Sequence, residues 1–341
     1  MSSLSRADRV RRKLELGPVE VRTAQLEGEP AVQAWRRLGA GPCPTRLELL
    51  RSRQKSVVYR LPGVGRDGSD VIAKRGLWQD AVDERAAYEL LGELPLACLN
   101  YYGFSEDPTR EYGWLFLEDA GSVPWDPEVA AHRQAATRWL AGLHTASSRL
   151  SGATCLPDRG VAWVREHLDH ALTGIPASFG NPALAPEARP ILDGMLRALG
   201  EVEARWPEIE RACASMPRAL VHCDFAARNV RIREKGPEPH VLVFDWEVAG
   251  WGLPAVDLID VDLSIYAEAV RADWPGLDLA AFERFAQLGL LLRGGVIAAS
   301  WAVRSLDTTY PDNAVYELPV YQRKIGNALA ALGLCAAPET P

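Results

Sequence analysis

Two short segments decide how this sequence of 341 residues is interpreted: residues 220–230, which read LVHCDFAARNV, and residues 241–247, which read VLVFDWE. In the first segment, an apolar pair leads into a histidine, an aspartate and an asparagine. In the second, four consecutive apolar residues predict a buried strand that ends at Asp245. A carboxylate at the end of a buried strand is placed at the edge of a cleft, where it can meet a ligand.

The polar residues of these two segments suit one kind of metal ion. Asp224, Asn229 and Asp245 all offer oxygen ligands or proton acceptors. Two carboxylates and an amide oxygen favour a hard cation such as Mg²⁺, which binds few protein groups and completes its shell with phosphate and water. The two segments contain no second histidine and no cysteine pair, which argues against zinc.

The composition is that of a globular protein and excludes several functional classes. Apolar residues make up 48% of the chain and charged residues 24%, as in ordinary soluble domains. A net charge of −7 argues against a nucleic-acid partner, which would require a basic surface. The six cysteines lie far apart without a C-x-x-C pair, so we expect reduced thiols.

No segment of the sequence predicts export or membrane insertion. Residues 1–17 are polar and basic, without the apolar centre of a secretory signal. Residues 288–303 are apolar but are interrupted by three glycines and an arginine, which predicts a buried helix and not a membrane span. We therefore expect a cytoplasmic protein without a membrane partner, as a monomer or a homodimer.

The pattern of predicted elements changes along the chain. Strands are predicted at 46–50, 57–61, 71–74, 99–104 and 114–117, with helices at 5–16, 30–38 and 79–94. Beyond residue 118, helices are predicted at 127–147, 161–172, 187–212, 256–270, 279–303 and 314–334, with a β-hairpin formed by 230–232 and 241–244. Residues 1–117, with a helical extension at 1–45, are thus predicted to form one lobe, and residues 118–341 a larger helical one.

The pattern His222-x-Asp224-x4-Asn229, followed by a strand that ends in Asp245-Trp246-Glu247, resembles the catalytic loop and metal-binding strand of the aminoglycoside phosphotransferase (APH) family. The resemblance covers about residues 46–335. It implies an α+β, bilobed, protein-kinase-like fold: a small N-terminal lobe with an antiparallel sheet and a helix binds the nucleotide. The larger, mainly helical C-terminal lobe carries the catalytic loop, the metal site and the acceptor site.

The resemblance also implies roles for the residues of the catalytic segment. Asp224 would accept the proton of the substrate hydroxyl, and Asn229 and Asp245 would hold Mg²⁺ on the nucleotide. His222 would brace the loop. Cys223 departs from the glycine more usual between His222 and Asp224. The alternative interpretation, a capping loop followed by a strand-end aspartate, is disfavoured because the hairpin interrupts a helical region.

Asp257 matches a recurrent aspartate of the family, which caps a helix or braces the loop.

Lys74, at the end of a predicted strand, matches the nucleotide lysine of the family. On the next helix, Glu84 shares a partly apolar face with Ala81 and Tyr88, which makes it the candidate partner of Lys74. Glu89 is the competing choice, and its neighbours indicate a solvated face. The alternative for Lys74 is a side chain that reaches from a strand end to solvent.

The remaining nucleotide contacts are expected in two short segments. Residues 52–56, with the hydroxyls of Ser52 and Ser56, would cover the phosphates, although the segment lacks glycine and also fits an ordinary polar turn. Backbone groups between Leu117 and Asp119 would hydrogen-bond a purine, as in the hinge of the family. ATP is the expected nucleotide, and the side chains do not distinguish it from GTP.

Twelve positions separate Asp245 from Asp257, too few for the activation segment with which a regulated protein kinase seats a peptide. A small hydroxylated acceptor is therefore expected. Residues 246–341 carry twelve acidic and six basic side chains, which favours a cationic acceptor such as an aminoglycoside. The candidate acceptor contacts are Trp246, Glu247, Asp260 and Asp262; the many aromatic residues also fit a macrolide, a nucleoside or a choline-like cation.

The sequence thus predicts an ATP- and Mg²⁺-dependent kinase that phosphorylates a hydroxyl of a small molecule, with an antibiotic as the favoured acceptor. A kinase of choline, homoserine or a sugar is the alternative within the same class. A nucleotide-binding pseudokinase is a third hypothesis, and the intact set of Lys74, Asp224, Asn229 and Asp245 argues against it. A metal-dependent phosphohydrolase would need further ligands near His222, which the sequence lacks.

Overall fold

The structure is a computed structural model that describes residues 20–53, 55–150, 155–234, 239–306, 308 and 312–334. The helix predicted at 5–16 lies outside the described residues.

The chain divides into two compact units. The first unit contains the residues up to Trp139 together with Asp224–Ala249, and the second contains Leu140–Cys223 and the residues from Gly250 onward.

The strands are β1 (Glu20–Arg22), β2 (Leu47–Ser52), β3 (Ser56–Leu61), β4 (Val71–Leu77), β5 (Tyr101–Glu106), β6 (Tyr112–Glu118), β7 (Asp158–Arg159), β8 (Ala219–Val221), β9 (Val230–Glu234), β10 (Pro239–Val243) and β11 (Gly250–Gly252). The α-helices are α1 (Pro30–Leu38), α2 (Trp78–Leu91), α3 (Ala130–Ser148), α4 (Val161–Ser178), α5 (Ala188–Ala204), α6 (Trp206–Cys213), α7 (Leu263–Val270), α8 (Leu279–Leu291), α9 (Ala298–Val303) and α10 (Asp312–Ala331). The helix predicted at 187–212 is therefore two helices, because Pro207 in the first turn of α6 cannot continue α5.

The first unit is built on an antiparallel sheet with the strand order β1-β2-β3-β4-β6-β5. Helix α1 covers one face of this sheet: Trp35 is buried there against Phe116, with 5.2 Å between the ring centroids. The helix starts with Pro30 in its first turn and ends at Gly39, whose φ of 67° is the left-handed conformation of a helix C-cap. This packing fixes the central strand β4, which carries Lys74.

The β9–β10 hairpin belongs to the first unit, whereas the division expected at residue 117 assigns it to the C-terminal lobe. The reason lies in backbone pairing: Trp125 donates its N–H to the carbonyl of Val230 at 3.2 Å, and Ile232 donates to that of Val123 at 2.9 Å. The hairpin is thereby tied to the chain that follows β6. The two-lobe division at residues 117 and 118 stays a prediction.

The second unit is mainly helical and contains the small sheet β7-β11-β8. In this unit α8 continues through a π-helical turn (Leu292–Ile297) into α9. This continuous helix, Leu279–Val303, is long and apolar enough to cross a membrane, but 72% of its most apolar window is buried inside the protein, as for a core helix. At Gly289 a Cβ atom would lie 1.8 Å from the carbonyl oxygen of Ala255, so the close approach of α8 requires glycine.

Candidate active site

A buried ion-pair cluster around Lys74 is the most prominent polar feature of the first unit. Lys74 Nζ on β4 lies 2.7 Å from Glu84 Oε2 on α2, and it also donates to Asp245 Oδ1. Glu247 Oε2 lies 3.5 Å from the same nitrogen. The side chain of Lys74 is 8% exposed and that of Glu84 only 1%, so these charges have little water to stabilise them and depend on one another.

The charges of this cluster shift each other's protonation. Burial alone would lower the pKa of Lys74, but the three carboxylates raise it above its ordinary value, so the lysine stays charged. Burial raises the pKa of Glu84, and Lys74 opposes that rise. The backbone N–H of Trp246 donates to Glu84 Oε1 at 3.3 Å, which ties α2 to the segment after β10. Glu89, the competing candidate, forms an exposed pair with Arg85 instead.

The strand pairing brings Asp245 close to Asn229. Val243 at the end of β10 lies opposite Val230 at the start of β9. One step further, Phe244 donates its N–H to the carbonyl oxygen of Asn229 at 3.0 Å. Asp245 has a left-handed φ of 69°, which is uncommon for a residue with a side chain and marks a sharp change of chain direction after the strand.

Asp224 is held by the two residues that precede β9. Its Oδ2 accepts a hydrogen bond of 2.8 Å from Asn229 Nδ2, which also donates to the Asp224 carbonyl at 3.0 Å. Its Oδ1 is paired with the guanidinium of Arg228. Arg228 is not among the predicted site residues, although its four-residue spacing from Asp224 is visible in the sequence. The carboxylate is thus oriented on both sides.

The loop between β8 and Asp224 is braced by a buried carboxylate of the second unit. Asp257 is 1% exposed, and it accepts the backbone N–H groups of His222 at 2.7 Å and Cys223 at 2.9 Å. His144 Nε2 lies 3.4 Å from Asp257 Oδ2. Asp257 is expected either to cap a helix or to brace the loop, and its contacts are those of a bracing residue. The contacts with the loop are made to backbone N–H groups.

Cys223 adopts a φ of 60°, and this explains why its position favours glycine. A side chain in this left-handed region costs about 1 kcal/mol. The side chain is nevertheless fully buried, and the carbonyl of Cys223 accepts a hydrogen bond from Arg293 Nε. The loop that leads into Asp224 is therefore fixed through its N–H groups and through a carbonyl.

The two serines expected at the phosphates lie at the turn between β2 and β3. The pairing of β3 with β4 places Val58 opposite Lys74, and Ser56 lies two residues before Val58. Ser56 Oγ accepts a hydrogen bond from Arg51 at 3.4 Å, and the N–H of Arg53 donates to the Ser56 carbonyl at 2.9 Å. Ser52 is exposed. A role of either serine at a phosphate stays a prediction.

Backbone groups of the expected purine-binding hinge are hydrogen-bonded within the first unit, and their contact with a purine stays a prediction. Asp119 donates its N–H to the carbonyl of Asp70 at 3.1 Å and accepts from Arg233 Nη2 at 3.0 Å. Glu118 donates its N–H to Asn100 at 2.8 Å. Leu117 is buried within β6. The backbone pairing of β6 with its neighbours thus continues to Asp119.

Three of the four candidate acceptor contacts, namely Trp246, Asp262 and Glu247, make contacts within the protein that differ from the expected contact with an acceptor. Trp246 is fully buried, 6.3 Å from Trp139 between ring centroids, so the expectation that it touches an acceptor is wrong. Asp262 caps α7 by accepting the N–H groups of Ser264 at 3.1 Å and Ile265 at 3.2 Å, which accounts for its carboxylate.

Glu247, with a side chain 44% exposed, belongs to the Lys74 cluster of the first unit. Asp260 is exposed in the second unit. The four candidates therefore do not form one site within either unit.

Among the residues that the structure describes, no group of three or more His, Cys, Asp or Glu side chains is arranged to hold a metal ion. Asn229 and Asp245 offer a cation one amide oxygen and one carboxylate, and Mg²⁺ completes its shell with phosphate and water.

The fold and this site define a kinase-like phosphotransferase. The family model "APH: Phosphotransferase enzyme family" matches residues 64–291, two thirds of the chain, and the chain belongs to this family. It is therefore an enzyme of the small-molecule kinase class, as the sequence predicts. No curated protein matches the chain significantly.

Solved structures confirm the predicted α+β kinase-like fold. Spectinomycin phosphotransferase APH(9)-Ia, in complex with ADP and spectinomycin, is 8% identical, with a TM-score of 0.60 over 89% of this chain and 98% of that chain. The GDP complex of an aminoglycoside 2'-phosphotransferase-IIIa mutant is 13% identical, with a TM-score of 0.56 over 84% and 93%. Choline kinase from Cryptosporidium parvum Iowa II is 9% identical, with a TM-score of 0.57 over 84% and 90%.

Proposed function

We propose that this protein is an ATP- and Mg²⁺-dependent O-phosphotransferase that acts on a hydroxyl group of a small molecule in the cytoplasm. One observation carries the proposal. In the first unit, Lys74 forms a buried ion pair with Glu84 and also contacts Asp245. In the same unit, Asn229 and Arg228 orient Asp224. Membership of the phosphotransferase family supports it, and so do nucleotides bound to neighbours of the same fold.

Each residue has a chemical task in this reaction. The charge of Lys74 neutralises nucleotide phosphate oxygens, and Glu84 keeps the lysine in place. Asp224 accepts the proton from the acceptor hydroxyl, whose oxygen then attacks the γ-phosphorus as the bond to the nucleoside diphosphate breaks. Asn229 donates its amide N–H to Asp224, which leaves the carboxylate oriented for that proton. Such catalysis consists mainly of positioning and charge neutralisation, so few residues are needed.

The donor set fits Mg²⁺. The amide oxygen of Asn229 and the carboxylate of Asp245 would hold the ion, which would neutralise charge on the transferred phosphoryl group. In the structure Lys74 donates to Asp245, so this carboxylate already faces the place where phosphate charge is expected.

For the acceptor we propose a hydroxylated small molecule, with an antibiotic as the first candidate and a metabolite of the choline, homoserine or sugar type as the second. Neighbours of both kinds share the fold, namely the spectinomycin phosphotransferase and the choline kinase. The acceptor class is set by side chains outside the nucleotide machinery.

The test incubates the purified protein with Mg²⁺, ATP or GTP and a panel of hydroxylated compounds, and reads the product masses. Asp224→Asn should abolish transfer and retain nucleotide binding, whereas Asp245→Asn should weaken binding of the Mg²⁺–nucleotide complex itself. Asp193→Asn, a partly exposed aspartate that pairs with Arg189, is the matched control and should change neither. Transfer by Asp224→Asn at the wild-type rate would contradict the assignment.

A further inference from the structure

One face of the sheet in the first unit carries Lys74, and the strand register shows which other side chains share this face. Residues directly opposite one another in an antiparallel pair lie on the same face of the sheet. Val58 on β3 lies opposite Lys74 on β4, and Arg51 on β2 lies opposite Val58. Arg51, Val58 and Lys74 therefore form one row across three neighbouring strands. We call the side of the sheet with this row the Lys74 face.

A β-bulge places Arg51 in this row. The register of β2 against β3 shifts between Leu49, which lies opposite Tyr59, and Arg51. Without the shift, Arg51 would lie opposite Val57, which belongs to the other face of the sheet. Bulges are frequent next to active sites, where they redirect a side chain. The sequence does not show this shift, which is why Arg51 is not among the predicted site residues.

Arg51 is close enough to Lys74 for one ligand to contact both side chains. Neighbouring strands of a sheet lie about 4.8 Å apart, so the backbones of Arg51 and Lys74 are separated by about 10 Å. Both residues carry their charge at the end of a long side chain. A chain of two or three phosphates on the Lys74 face can therefore meet the ammonium group at one point and the guanidinium group at another.

The charge of Arg51 has no counter-charge in the described part of the chain. Its half-buried side chain forms no ion pair with a described carboxylate, and its buried Nε has no acceptor among the described residues. Nη2 donates to Ser56 Oγ at 3.4 Å, which is a long hydrogen bond to a neutral group. Arg60, on the same face, is by contrast paired with Glu48 at 3.0 Å and Asp119 at 2.6 Å.

An unpaired, half-buried guanidinium is unfavourable for the protein alone, because burial removes water that would stabilise its charge. Buried polar groups are nearly always hydrogen-bonded, so an unsatisfied donor marks a place where a ligand or an ion is expected. In the proposed reaction, the negative charge that reaches the Lys74 face is that of the nucleotide phosphates.

The turn next to Arg51 gives a reason for a side-chain donor at this place. Residues 52–56 contain no glycine, so their backbone cannot approach a phosphate as closely as that of a glycine-rich loop. The N–H of Arg53 is also bound within the turn, to the carbonyl of Ser56 at 2.9 Å. A guanidinium beside the turn offers several N–H donors in a planar fork that matches phosphate oxygens.

We propose that Arg51 binds a phosphate group of the nucleotide, together with Lys74 on the same face of the sheet. Its guanidinium takes the place of the backbone donors that a glycine-rich loop would supply, and the hydroxyl of Ser56 helps to orient it. This inference rests on the proposed function, because it adds a nucleotide contact to that reaction.

The first experiment measures the affinity of the full-length protein for ATP, ADP, AMP and adenosine by calorimetric titration in the presence of Mg²⁺. Arg51→Gln should weaken ATP binding by about tenfold or more, as for the loss of a charge-assisted hydrogen bond, and should leave adenosine binding within about twofold. Arg51→Lys keeps the charge and loses the planar fork, so its affinity for ATP should lie in between. The shortest nucleotide whose affinity falls identifies the contacted phosphate.

Arg36→Gln is the matched control. Arg36 is an exposed arginine of α1 that pairs with Glu27 at 3.2 Å. Helix α1 covers the face of the sheet that carries Phe116, which lies opposite Ala73 and therefore on the side away from Lys74. Loss of this arginine should leave all four affinities near their wild-type values.

A second measurement distinguishes a ligand contact from a structural role. Because the charge of Arg51 has no partner in the described protein, Arg51→Gln should not lower the midpoint of urea denaturation in the absence of nucleotide. Addition of Mg²⁺ and ATP should raise the midpoint of the wild type by more than that of Arg51→Gln, since a ligand stabilises a protein in proportion to its affinity. A lower midpoint of the variant without nucleotide, or an equal gain from ATP in both proteins, would overturn the inference.

The outcomes separate this inference from the proposed function. ATP binding that is unchanged in Arg51→Gln, with transfer that still depends on Asp224, would overturn the contact and leave the kinase in place. An equal loss of affinity for ATP and adenosine would indicate a change in the shape of the site and would also overturn the contact. If the wild type binds none of the four compounds, the proposed function fails and this inference fails with it.

Discussion

Replacing Asp257 by asparagine should damage both stability and turnover, although the side chain keeps its size. The aspartate accepts two backbone N–H groups, those of His222 and Cys223, with one carboxylate oxygen each. Asparagine has only one oxygen, so its NH₂ group must face one of these N–H donors. Both donors and the side chain are buried.

The magnitude follows from these contacts. A buried N–H left without an acceptor costs about 1–3 kcal/mol, and the remaining hydrogen bond loses its charge assistance, about 1 kcal/mol more. We therefore expect the free energy of unfolding to fall by about 2–4 kcal/mol, a large share of the 5–15 kcal/mol typical of a domain. Because Asp224 is the next residue in the chain, displacement of the loop by about 1 Å should lower kcat about 100-fold.

Urea denaturation gives the change in unfolding free energy, and product formation at saturating substrate gives kcat. Asp169→Asn is the matched control: Asp169 is exposed and pairs with Arg165 on the same helix, so both quantities should stay near their wild-type values. A loss below about 1 kcal/mol with kcat within threefold of the wild type would refute the bracing role of Asp257.

Three further perturbations follow from the structure. Lys74→Met should destabilise the protein by about 3–5 kcal/mol in urea denaturation, because it leaves buried carboxylates without a counter-charge. The control Lys55→Met, at an exposed lysine, should cost less than about 0.5 kcal/mol. An equal effect of both variants would contradict the buried pairing of Lys74. The pKa of His167 is about 4 in the folded protein, against 6.5 for the free side chain. As the pH falls, the unfolded state therefore binds a proton before the folded state does. The free energy of unfolding should fall by about 2 kcal/mol between pH 6.5 and pH 4, after allowance for solvent screening. This loss should be smaller in His167→Gln, and an unchanged pH profile of the melting temperature would count against it. Gly289→Ala should destabilise the protein by about 2–3 kcal/mol, because its Cβ would overlap a backbone carbonyl. Gly326 is exposed in α10 with open space where a Cβ would lie, so Gly326→Ala should stabilise the protein by about 0.5–1 kcal/mol. Thermal unfolding of the two variants tests these opposite signs.

Part of the geometry of the candidate active site is visible in the sequence. A run of four apolar residues that stops at Asp245 specifies a strand end, because apolar runs are buried and a carboxylate cannot follow them into the core. The choice of Glu84 over Glu89 depends on helical spacing, and the structure buries the first and exposes the second. Local periodicity is sufficient in both cases.

The surroundings of the other candidates depend on long-range contacts that periodicity does not contain. Trp246 follows Asp245 directly, but the left-handed backbone of Asp245 changes the chain direction and the indole is buried. The donors at Glu118 and Asp119 are paired because of the register with their neighbouring strands. Arg293 reaches Cys223 across 70 residues of sequence, so its contact with the loop is unpredictable from local patterns.

The composition of the first unit also has a consequence for how the protein is made. The unit consists of the residues up to Trp139 and a second piece, Asp224–Ala249, and Lys74 pairs with Asp245 across 171 positions of sequence. At a synthesis rate of about 5–20 residues per second, a ribosome needs roughly 9–34 s to add the partner after the lysine. During that interval the first unit lacks the β9–β10 hairpin, and the pair of Lys74 and Glu84 lacks Asp245. The nascent first unit must therefore stay soluble while much of the second unit is synthesised, which makes it a candidate substrate for chaperones that bind incompletely folded domains.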